Sequence, residues 1–494
     1  MEVQRETLRL RESELKELQN SINNNIGTSQ YADAVDYVAS LLDNDGLEVE
    51  KDKLKLVKKC LLRGSDDSRI HIPQNLDADE EAFIMREYAG ISRSVQSFGS
   101  RRTCNKSSRN FNVIRSQSFV DASIAQAGCL PEFAKLEVAQ QKKLFELLSF
   151  SSLQKWDFNV FDVAEIDAEN ALLFVAWAVI CSPYSQIAMA DELQKAGVEV
   201  SQRKNEFLGY DFTDIDLTID GVKLINYIRL IQDGYQDTPY HNRIHAADVV
   251  QTLNSLLQMA ALRFPFEKED LFLLLVSAVV HDVKHPGRNN AFQVNSFSDL
   301  ALQWNDISVL ESEHVSYAWK SMLKDKECLF LCNADKDTSK LHAVRKKIID
   351  AVLHTDMSKH FAGVSKIKAA AAGKSWDQLE PSVQWDVLVY MLHMADISNP
   401  AKGDPMFKLW TDRCLEEFFL QGDKEREMGV PISPNCDRNT TKRPDSQVGF
   451  IKFVVRPAYE VLGEIIPAVK DEILPQIDTN LVYWDEQKKL DGSV

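Results

Sequence analysis

The sequence predicts an all-α protein, and three observations favour that fold class. From Leu144 onward the apolar residues recur with helical periodicity, no convincing run alternates apolar and polar residues as a strand does, and Pro and Gly are sparse. These breakers fall mostly between the apolar runs, at Pro183, Gly221, Gly234, Pro286, Gly363, Pro381 and Pro400. The pattern therefore predicts a domain of helices packed on helices.

The composition is that of an acidic globular protein. Of the 494 residues 44% are apolar, and the net charge is −17 with a pI of about 5.2. This charge disfavours nucleic acid as a partner, whereas an anionic substrate stays compatible because a metal site supplies positive charge locally. The eight cysteines are scattered without a CxxC pair, which indicates reduced thiols and a cytoplasmic location.

One strongly apolar run, from Ala171 to Cys181, is too short to span a bilayer and predicts a buried helix. The N-terminal residues also lack the apolar core of a signal peptide. We therefore expect no membrane segment in this chain.

Residues 1–25 repeat apolar side chains every seven positions, at Leu8, Leu15 and Ile22. The repeat fits a short coiled coil, which would make the protein a homodimer, and it fits a single solvated helix about as well. Three heptads are marginal for a coiled coil, so both interpretations stay open.

Residues 26–91 are predicted to be a helical regulatory region, and the N-terminal part as a whole to be partly disordered. Within it, Lys51 to Arg63 is predicted to form a basic amphipathic helix, a type of helix that can bind calmodulin. An ordinary surface helix is the favoured interpretation of the same pattern. Residues 92–145 are assigned to a linker that is rich in Ser and Arg over 92–118.

A possible metal site begins in the sequence YHNRIHAAD, which starts at Tyr240. Nothing there breaks a helix, and His241 and His245 are four residues apart, so on a helix they lie on one face. Two imidazoles so placed suit a metal ion, or a metal ion and a proton donor. The pair by itself also fits an ordinary polar helix face.

Two apolar runs further along the chain are each followed closely by an acidic residue. The run from Leu273 to Val280 is followed by a His-Asp pair, and the run from Trp385 to Met394 by an Ala-Asp pair. A buried charge is costly unless it is paired or binds a metal. The resulting ligand set is His245, His281, Asp282 and Asp396. Mixed nitrogen and oxygen ligands suit zinc, and the carboxylates can share a second, harder ion such as magnesium or manganese.

Eight motifs resemble those of the class I cyclic nucleotide phosphodiesterases and occur in that family's order. They are YHNRIHAADV at 240–249, HDVKHPG at 281–287, SVLESEH at 308–314, TDMSKHF at 355–361, ADISNP at 395–400, WTDRCLEEFFLQGDKERE at 410–427, ISPNCDR at 432–438 and SQVGFIKFVV at 446–455. The resemblance covers roughly residues 153–486, and FFLQGDKE is most similar to the calmodulin-dependent group. It implies a compact multi-helix catalytic domain with an HD-type metal site at 146–486, followed by a tail at 487–494.

The resemblance also implies a role for each residue of the metal site. The four ligands would hold the first metal, zinc, and Asp282 would bridge to a second, mostly water-ligated magnesium or manganese ion. His241 would be the general acid that protonates the ribose 3′ oxygen. The alternatives for His241 are a fifth metal ligand and a structural histidine.

Supporting positions of the family, which orient metal-bound waters and ligands, are occupied by His285, Asn290, Glu311, His314 and Thr355. The sequence departs from the family's pattern at three other positions. Lys284 stands where an acidic residue is common, His354 where a small residue is usual, and Glu313 where many relatives have His. None of these removes a ligand, but Lys284 is expected to alter the local charge and hence metal affinity.

Gln447 and Phe450 match the purine-binding glutamine and the stacking phenylalanine of the family. An amide can pair with adenine, or with guanine if it rotates. The other residues expected to line this pocket are Tyr240, Met357, Asn399, Cys414 and Phe418. For Met357 and Phe418, core packing is about as good an interpretation.

The leading prediction is a cytoplasmic enzyme that hydrolyses cAMP, cGMP or both to 5′-monophosphates with a two-metal-activated hydroxide, and so terminates cyclic nucleotide signalling. An HD-type phosphohydrolase acting on other nucleotides would share the metal ligands without needing Gln447 and Phe450. An inactive relative that binds cyclic nucleotide as a sensor or scaffold is a third hypothesis. It predicts the loss of a ligand or of His241, and all of these residues are present.

Overall fold

The computed structural model describes residues 124–200, 209–261, 264–331, 338–371 and 373–491. These residues all belong to the unit of the chain that includes 115–494. The predicted coiled coil, the helical regulatory region with its basic helix, and the Ser- and Arg-rich stretch of the linker lie outside the described residues. No strand occurs among the described residues, where Ile219 and Leu331 form an isolated bridge, so the predicted all-α fold class is confirmed.

The α-helices of the first half are α1 (Pro131–Ala134), α2 (Val138–Leu147), α3 (Phe150–Leu153), α4 (Val160–Asp167), α5 (Ala171–Ile180), α6 (Tyr184–Lys195), α7 (Gly221–Gly234), α8 (Arg243–Ala261), α9 (Lys268–Val280), α10 (Asn290–Asn295), α11 (Asp299–Trp304) and α12 (Val309–Lys324). Those of the second half are α13 (Thr338–Leu353), α14 (His360–Ala371), α15 (Pro381–Asp396), α16 (Met406–Met428), α17 (Arg443–Phe450), α18 (Arg456–Ile465), α19 (Pro467–Glu472) and α20 (Leu474–Asp491). Short 3₁₀ helices occur at Ile124–Ala127, Phe212–Asp214, Met357–Lys359, Trp376–Gln378 and Asn399–Ala401, and a π-helical turn at Ile451–Val455.

Helix α5 lies at the centre of the core, because every one of its residues is buried. This confirms the buried helix predicted from the apolar run at Ala171 to Cys181. No single helix among the described residues is long and apolar enough to cross a membrane; α5 and α6 pass that test only as a pair bent by 115°.

Helix α8 positions the functional residues, since it packs against α5, α9 and α15. Its apolar residues recur on all sides, and the side chains from His245 to Leu257 are all buried. The adjoining helices α9 and α15 are equally apolar, which is why they pack beside α8 in the interior. The ends of α9 and α15 are thereby brought to the beginning of α8.

The folded region begins earlier than the sequence analysis places it. Leu130, Phe133 and Leu144 are almost fully buried in the same core, although 92–145 is assigned there to a linker. Gln141 of α2 donates hydrogen bonds from Nε2 to the carbonyl oxygens of Phe133 and Ala134 at 3.1 and 3.2 Å, which satisfies the end of α1. Helices α1 and α2 therefore pack in the same core as the helices of the predicted domain, although the predicted linker includes them.

Candidate active site

Three helix ends bring the predicted metal ligands together. His245 lies in the first turn of α8, His281 and Asp282 directly follow α9, and Asp396 is the last residue of α15. The ligand atoms of these four residues lie within 4.8 Å of one another. The rings of His245 and His281 are inclined by 62°, which allows their in-plane lone pairs to converge on one point.

The imidazole nitrogen and carboxylate oxygen atoms of these four residues need a positive charge between them. His281 donates from Nδ1 to the carbonyl oxygen of Ala278 at 2.8 Å, and its Nε2 lies 3.3 Å from Asp282 Oδ2 and 3.4 Å from Asp396 Oδ1. That buried Nε2 has no hydrogen-bond partner. Burial lowers the pKa of His281, but the charge of Asp282 raises it well above the ordinary value. A proton or a divalent cation can supply the charge, and two imidazoles with two carboxylates suit zinc.

Asp282 has its second carboxylate oxygen on the other side, facing His314. The distance from Asp282 Oδ1 to His314 Nε2 is 3.6 Å. His314 donates from Nδ1 to the carbonyl oxygen of Val283 at 2.6 Å, and burial lowers the pKa of this imidazole to about 4. The ring is therefore neutral, and its buried Nε2, which has no hydrogen-bond partner, is an acceptor. Two acceptor atoms, Asp282 Oδ1 and His314 Nε2, thus face each other, and a hydrogen-bond donor or a cation between them would satisfy both.

His241 does not share a helix face with His245, so that expectation from the sequence is wrong. Helix α8 begins at Arg243, and Asn242 caps it by accepting hydrogen bonds from the backbone N–H groups of Ile244 and His245 at 2.9 and 3.3 Å. Asn is among the preferred helix N-caps because its side-chain oxygen satisfies these free donors. His241 therefore stands on the preceding bend, with its ring centroid 5.8 Å from that of His245.

Glu417 of α16 holds this bend in place and was not singled out by sequence reasoning. Its Oε2 accepts hydrogen bonds from the backbone N–H groups of Tyr240 and His241 at 2.8 and 3.0 Å. Its Oε1 lies 2.5 Å from His241 Nδ1. Burial opposes ionisation, but the charge on His241 lowers the pKa of Glu417 to about 2. The carboxylate in turn outweighs the effect of burial and raises the pKa of His241 to about 9, so His241 is a cation near neutral pH.

His285 stacks on His241, with ring centroids 3.8 Å apart and planes inclined by 21°. Burial, together with the charge of His241, lowers the pKa of His285 well below its ordinary value, so His285 is neutral. These two rings and Glu417 also place ligand atoms within 4.8 Å of one another. The in-plane lone pairs of two stacked, nearly parallel rings do not point at a single ion, so this group is a weaker candidate for a metal centre than the four predicted ligands.

Two further predicted residues form a polar pair beside the metal ligands. Asn290 donates from Nδ2 to both carboxylate oxygens of Glu311, at 3.1 and 3.0 Å, and its Oδ1 accepts from the N–H of Leu310 at 2.9 Å. Burial, and then the charge of Asp356, raises the pKa of Glu311 to about 8. Thr355 donates to the carbonyl oxygen of Val352 at 2.8 Å, which leaves its hydroxyl oxygen free to accept.

A cavity of about 510 Å³ joins these parts. Its lining contains all the residues that the sequence predicts for the site except His245 and His281, which are fully buried. On one wall, Gln447 Oε1 lies 3.1 Å from Thr411 Oγ1. On another wall, the side-chain amide of Asn399 donates a hydrogen bond to the hydroxyl of Tyr240.

The three departures from the family pattern lie away from the cavity lining. The ammonium group of Lys284 lies 5.1 Å from the ring centroid of Tyr317, and Glu313 accepts hydrogen bonds from Gln303 and Trp304. His354 lines a separate cavity of about 190 Å³. The charge of Lys284 is thus directed onto an aromatic ring, and no contact with a predicted ligand is recorded for it.

Two further histidines form a buried pair outside this site. His360 and His393 are buried and hydrogen-bond to each other, with Nδ1 and Nε2 2.9 Å apart, beside the smaller cavity. Burial lowers the pKa of both, so they form a neutral pair that packs α14 against α15.

Comparison with known proteins gives consistent matches. The family model for 3′5′-cyclic nucleotide phosphodiesterase matches residues 240–477. The 3′,5′-cyclic-AMP phosphodiesterase, isoform F, of Drosophila melanogaster is 35% identical over 364 residues, which are 72% of this chain and 50% of that protein. Isoforms N/G of the same fly show the same identity over 33% of their length. The chain therefore spans half or less of the curated relatives it matches.

Among solved structures, the phosphodiesterase domain of Salpingoeca rosetta rhodopsin phosphodiesterase is similar, with a TM-score of 0.56 and 28% identity over 73% of this chain and 98% of that one. A second structure, the phosphodiesterase domain of the RhoPDE fusion protein from the same choanoflagellate, has a TM-score of 0.56 and 29% identity, and covers 71% of this chain and 100% of that one.

Proposed function

This chain belongs to the class I 3′,5′-cyclic nucleotide phosphodiesterases, and on that premise we propose that it hydrolyses 3′,5′-cyclic nucleotides to 5′-monophosphates. The Drosophila relatives carry cyclic AMP in their names, so cAMP is the first substrate to test. The amide of Gln447 can pair with either purine, and cGMP is the second.

The observation that supports this proposal is that residues suited to three functions line one cavity. Its lining includes the cationic His241, the carboxylates Asp282 and Asp396, and the pair Gln447 and Phe450. A cyclic nucleotide needs cations at the phosphate, a proton donor at the 3′ oxygen, and an amide with apolar surface at the base. An HD-type hydrolase for other nucleotides requires the carboxylates but not that base-binding wall.

In the proposed reaction His241 is the general acid. Glu417 occupies its Nδ1, which leaves Nε2 as the ring nitrogen that can give a proton to the ribose 3′ oxygen while the P–O3′ bond breaks. The carboxylate of Glu417 stabilises the imidazolium before transfer and keeps the Nδ1 proton on the ring afterwards. Neutral His285 lies against the ring and limits its rotation.

We propose that His245, His281, Asp282 and Asp396 hold a zinc ion, and that the outer oxygen of Asp282 shares a magnesium or manganese ion with bound waters. Together the two ions would supply an activated water nucleophile and neutralise the phosphoryl oxygens. His285, Asn290, Glu311, His314 and Thr355 would orient the waters of the second ion. Burial raises the pKa of Glu311 to about 8, so this side chain can also donate a hydrogen bond near neutral pH.

The base would lie between the Phe450 and Gln447 side of the cavity and the opposite apolar surface. Phe418 and Met357 line the cavity, which favours contact with the base over core packing for both. Cys414 and Tyr240 complete this wall, and Asn399 fixes the hydroxyl of Tyr240.

A cytoplasmic location, a homodimer formed through residues 1–25 and calmodulin binding through Lys51 to Arg63 are part of the same proposal. The location rests on the scattered cysteines. The dimer and calmodulin binding rest on sequence patterns of residues outside the described part of the chain, and calmodulin binding also on the resemblance of FFLQGDKE to the calmodulin-dependent group.

The test is turnover of cAMP and cGMP by the purified chain with magnesium, beside a non-cyclic nucleoside triphosphate. We expect 5′-AMP from cAMP, and loss of turnover in His241→Asn but not in His342→Asn, a matched change of an exposed histidine on α13. Hydrolysis of the triphosphate alone would identify an HD-type hydrolase of another class. Binding of cAMP without turnover, under conditions where metal is bound, would identify a sensor.

A further inference from the structure

Helix α16 presents a row of three buried polar side chains, Glu417, Gln421 and Glu425, which are 2%, 1% and 3% exposed. Their four-residue spacing places them on one helix face, one turn apart. Buried polar groups are costly unless they are hydrogen-bonded, so their hydrogen-bond partners show which parts of the protein this helix face fixes in place. Glu417 holds the general acid, and the other two have no part in the mechanism described above.

Glu425 holds the loop that follows α16. Its Oε2 accepts from the backbone N–H of Ser433 at 2.6 Å, and its Oε1 accepts from the Ser433 hydroxyl at 2.6 Å. Gln421 donates from Nε2 to the same Oε1 at 2.9 Å. Within the described part of the chain no ion pair of Glu425 is recorded, so three uncharged donors satisfy this carboxylate.

Gln421 connects the same face to α10. Its Oε1 accepts from the backbone N–H of Asn289 at 2.9 Å, and its Nε2 lies 3.2 Å from Asn289 Oδ1. Asn289 is the N-cap of α10, and Asn290 beside it bonds Glu311 in the candidate site. The row on α16 thus reaches two parts of the cavity wall besides the general acid.

The loop held by Glu425 forms part of the cavity, because residues 431–435 all line it. Its far end presses against α16 as well: a Cβ on Gly422 would lie 1.8 Å from the carbonyl oxygen of Cys436, so this contact excludes every residue except glycine. The loop is thus fixed at its middle by Ser433 and at its end by Cys436. Without the middle contact, the wall that faces the nucleotide would have to be ordered on each binding event.

We propose that Glu425 is a positioning residue, which sets the shape of the nucleotide pocket through Ser433 and so determines the affinity for the nucleotide. This inference rests on the proposed function. It assigns the hydrogen bonds of Glu425 to the binding of substrate and not to the chemical step, since no group of the metal site or of the general acid contacts Glu425.

The test compares Ser433→Ala, Glu425→Gln and Glu425→Ala in the full chain. Ser433→Ala removes one of the two loop contacts, and Glu425→Ala removes both. We expect KM for cAMP to rise about two- to fivefold in Ser433→Ala and about five- to twentyfold in Glu425→Ala, with kcat within about threefold of wild type. Glu425→Gln keeps one acceptor oxygen and should lie between them. Glu427→Gln, an exposed glutamate on the same helix paired with Lys424, is the matched control.

Two further measurements test the role of Glu425, and the first of them does not depend on turnover. Amide hydrogen exchange over 430–436 should speed up in Glu425→Ala and not in Glu427→Gln, whether or not the chain turns over cAMP. The double variant Ser433→Ala with Glu425→Gln should raise KM by less than the product of the single effects, since both changes act on one contact. Equal losses in kcat with unchanged KM, or an unchanged KM in Ser433→Ala and Glu425→Ala alike, would overturn the assignment.

Discussion

The carboxylate of Glu417 joins two segments that are 176 residues apart, since its Oε1 lies 2.5 Å from His241 Nδ1. The same carboxylate also accepts the backbone N–H of His241, so one side chain fixes both the position and the charge of the proposed general acid. Its removal should therefore change the pH dependence of the reaction more than the binding of metal.

For Glu417→Gln we expect the alkaline limb of kcat/KM to move to lower pH. A general acid works below its pKa and fails as the pH rises through it, and Glu417 raises the pKa of His241 to about 9. Without that charge, burial lowers the pKa toward or below its ordinary value of about 6.5. Activity at pH 8 should fall about 10- to 100-fold.

The matched control is Glu416→Gln, because Glu416 is half exposed and pairs with Arg438 on the surface. Its pH profile should equal that of the wild type. An alkaline limb that stays in place in Glu417→Gln would show that another group donates the proton.

Asp396→Ala should abolish turnover and lower the amount of bound metal, because a carboxylate ligand is lost from the end of α15. Elemental analysis of the purified variant measures the metal directly, and Asp386→Ala on the same helix, where Asp386 pairs with Lys366, is the control. Near-normal turnover with unchanged metal content would refute this ligand assignment.

Gln447→Ala should weaken substrate binding with less effect on kcat. The loss of one base hydrogen bond costs about 0.5–1.5 kcal/mol in transition-state binding, and more if the partner stays buried and unpaired. Steady-state kinetics with cAMP and cGMP give the split between KM and kcat. A collapse of turnover at saturating substrate, with loss of metal, would place Gln447 in the metal site.

Thr411→Val should alter the preference between cAMP and cGMP. The Thr411 hydroxyl has one proton and two acceptors within reach, the carbonyl oxygen of Phe407 at 2.8 Å and Gln447 Oε1 at 3.1 Å. Valine keeps the volume but releases the amide, which can then rotate to suit either purine. The ratio of the two kcat/KM values should move toward one, and an unchanged ratio would show that Thr411 does not orient Gln447.

A fragment starting at residue 145 should be much less stable than one starting at residue 120, because it lacks Leu130, Phe133 and Leu144 of the core. Loss of each large buried side chain costs about 2–5 kcal/mol, so thermal unfolding should distinguish the fragments clearly.

The fragment from residue 120 should keep its activity, since no proposed site residue precedes Tyr240. Comparison with the full chain, with and without calcium-calmodulin, then tests the proposed regulatory role of the N-terminal part. A folded but inactive fragment from residue 120 would contradict it.

The cluster of proposed metal ligands could be predicted from the sequence because a charged residue at the end of an apolar helix needs a buried partner. Glu417 was not, because it lies between Glu416 and Phe418 on an otherwise charged helix, and only packing shows which glutamate is buried. The spacing could have identified Glu417, because it lies three residues after Cys414 and so shares a helix face with the predicted pocket residues.

Two structural expectations failed for local reasons. The break before α8 depends on the side chain of Asn242 acting as an N-cap, and an uninterrupted helical pattern in the sequence does not reveal where the cap stands. The packing of α1 and α2 in the core was not predicted because α1 has only four residues, and the burial of both helices depends on contacts with distant helices.

The break at Asn242 separates the proposed proton donor from the proposed metal ligands mechanically. His241 is fastened to α16 through Glu417, whereas His245 belongs to α8 and Asp396 to α15. Substitution of Glu417 can therefore adjust the acidity and position of the proposed donor without replacing any of the four proposed ligands. The acidity of the donor and the affinity for metal can thus evolve separately.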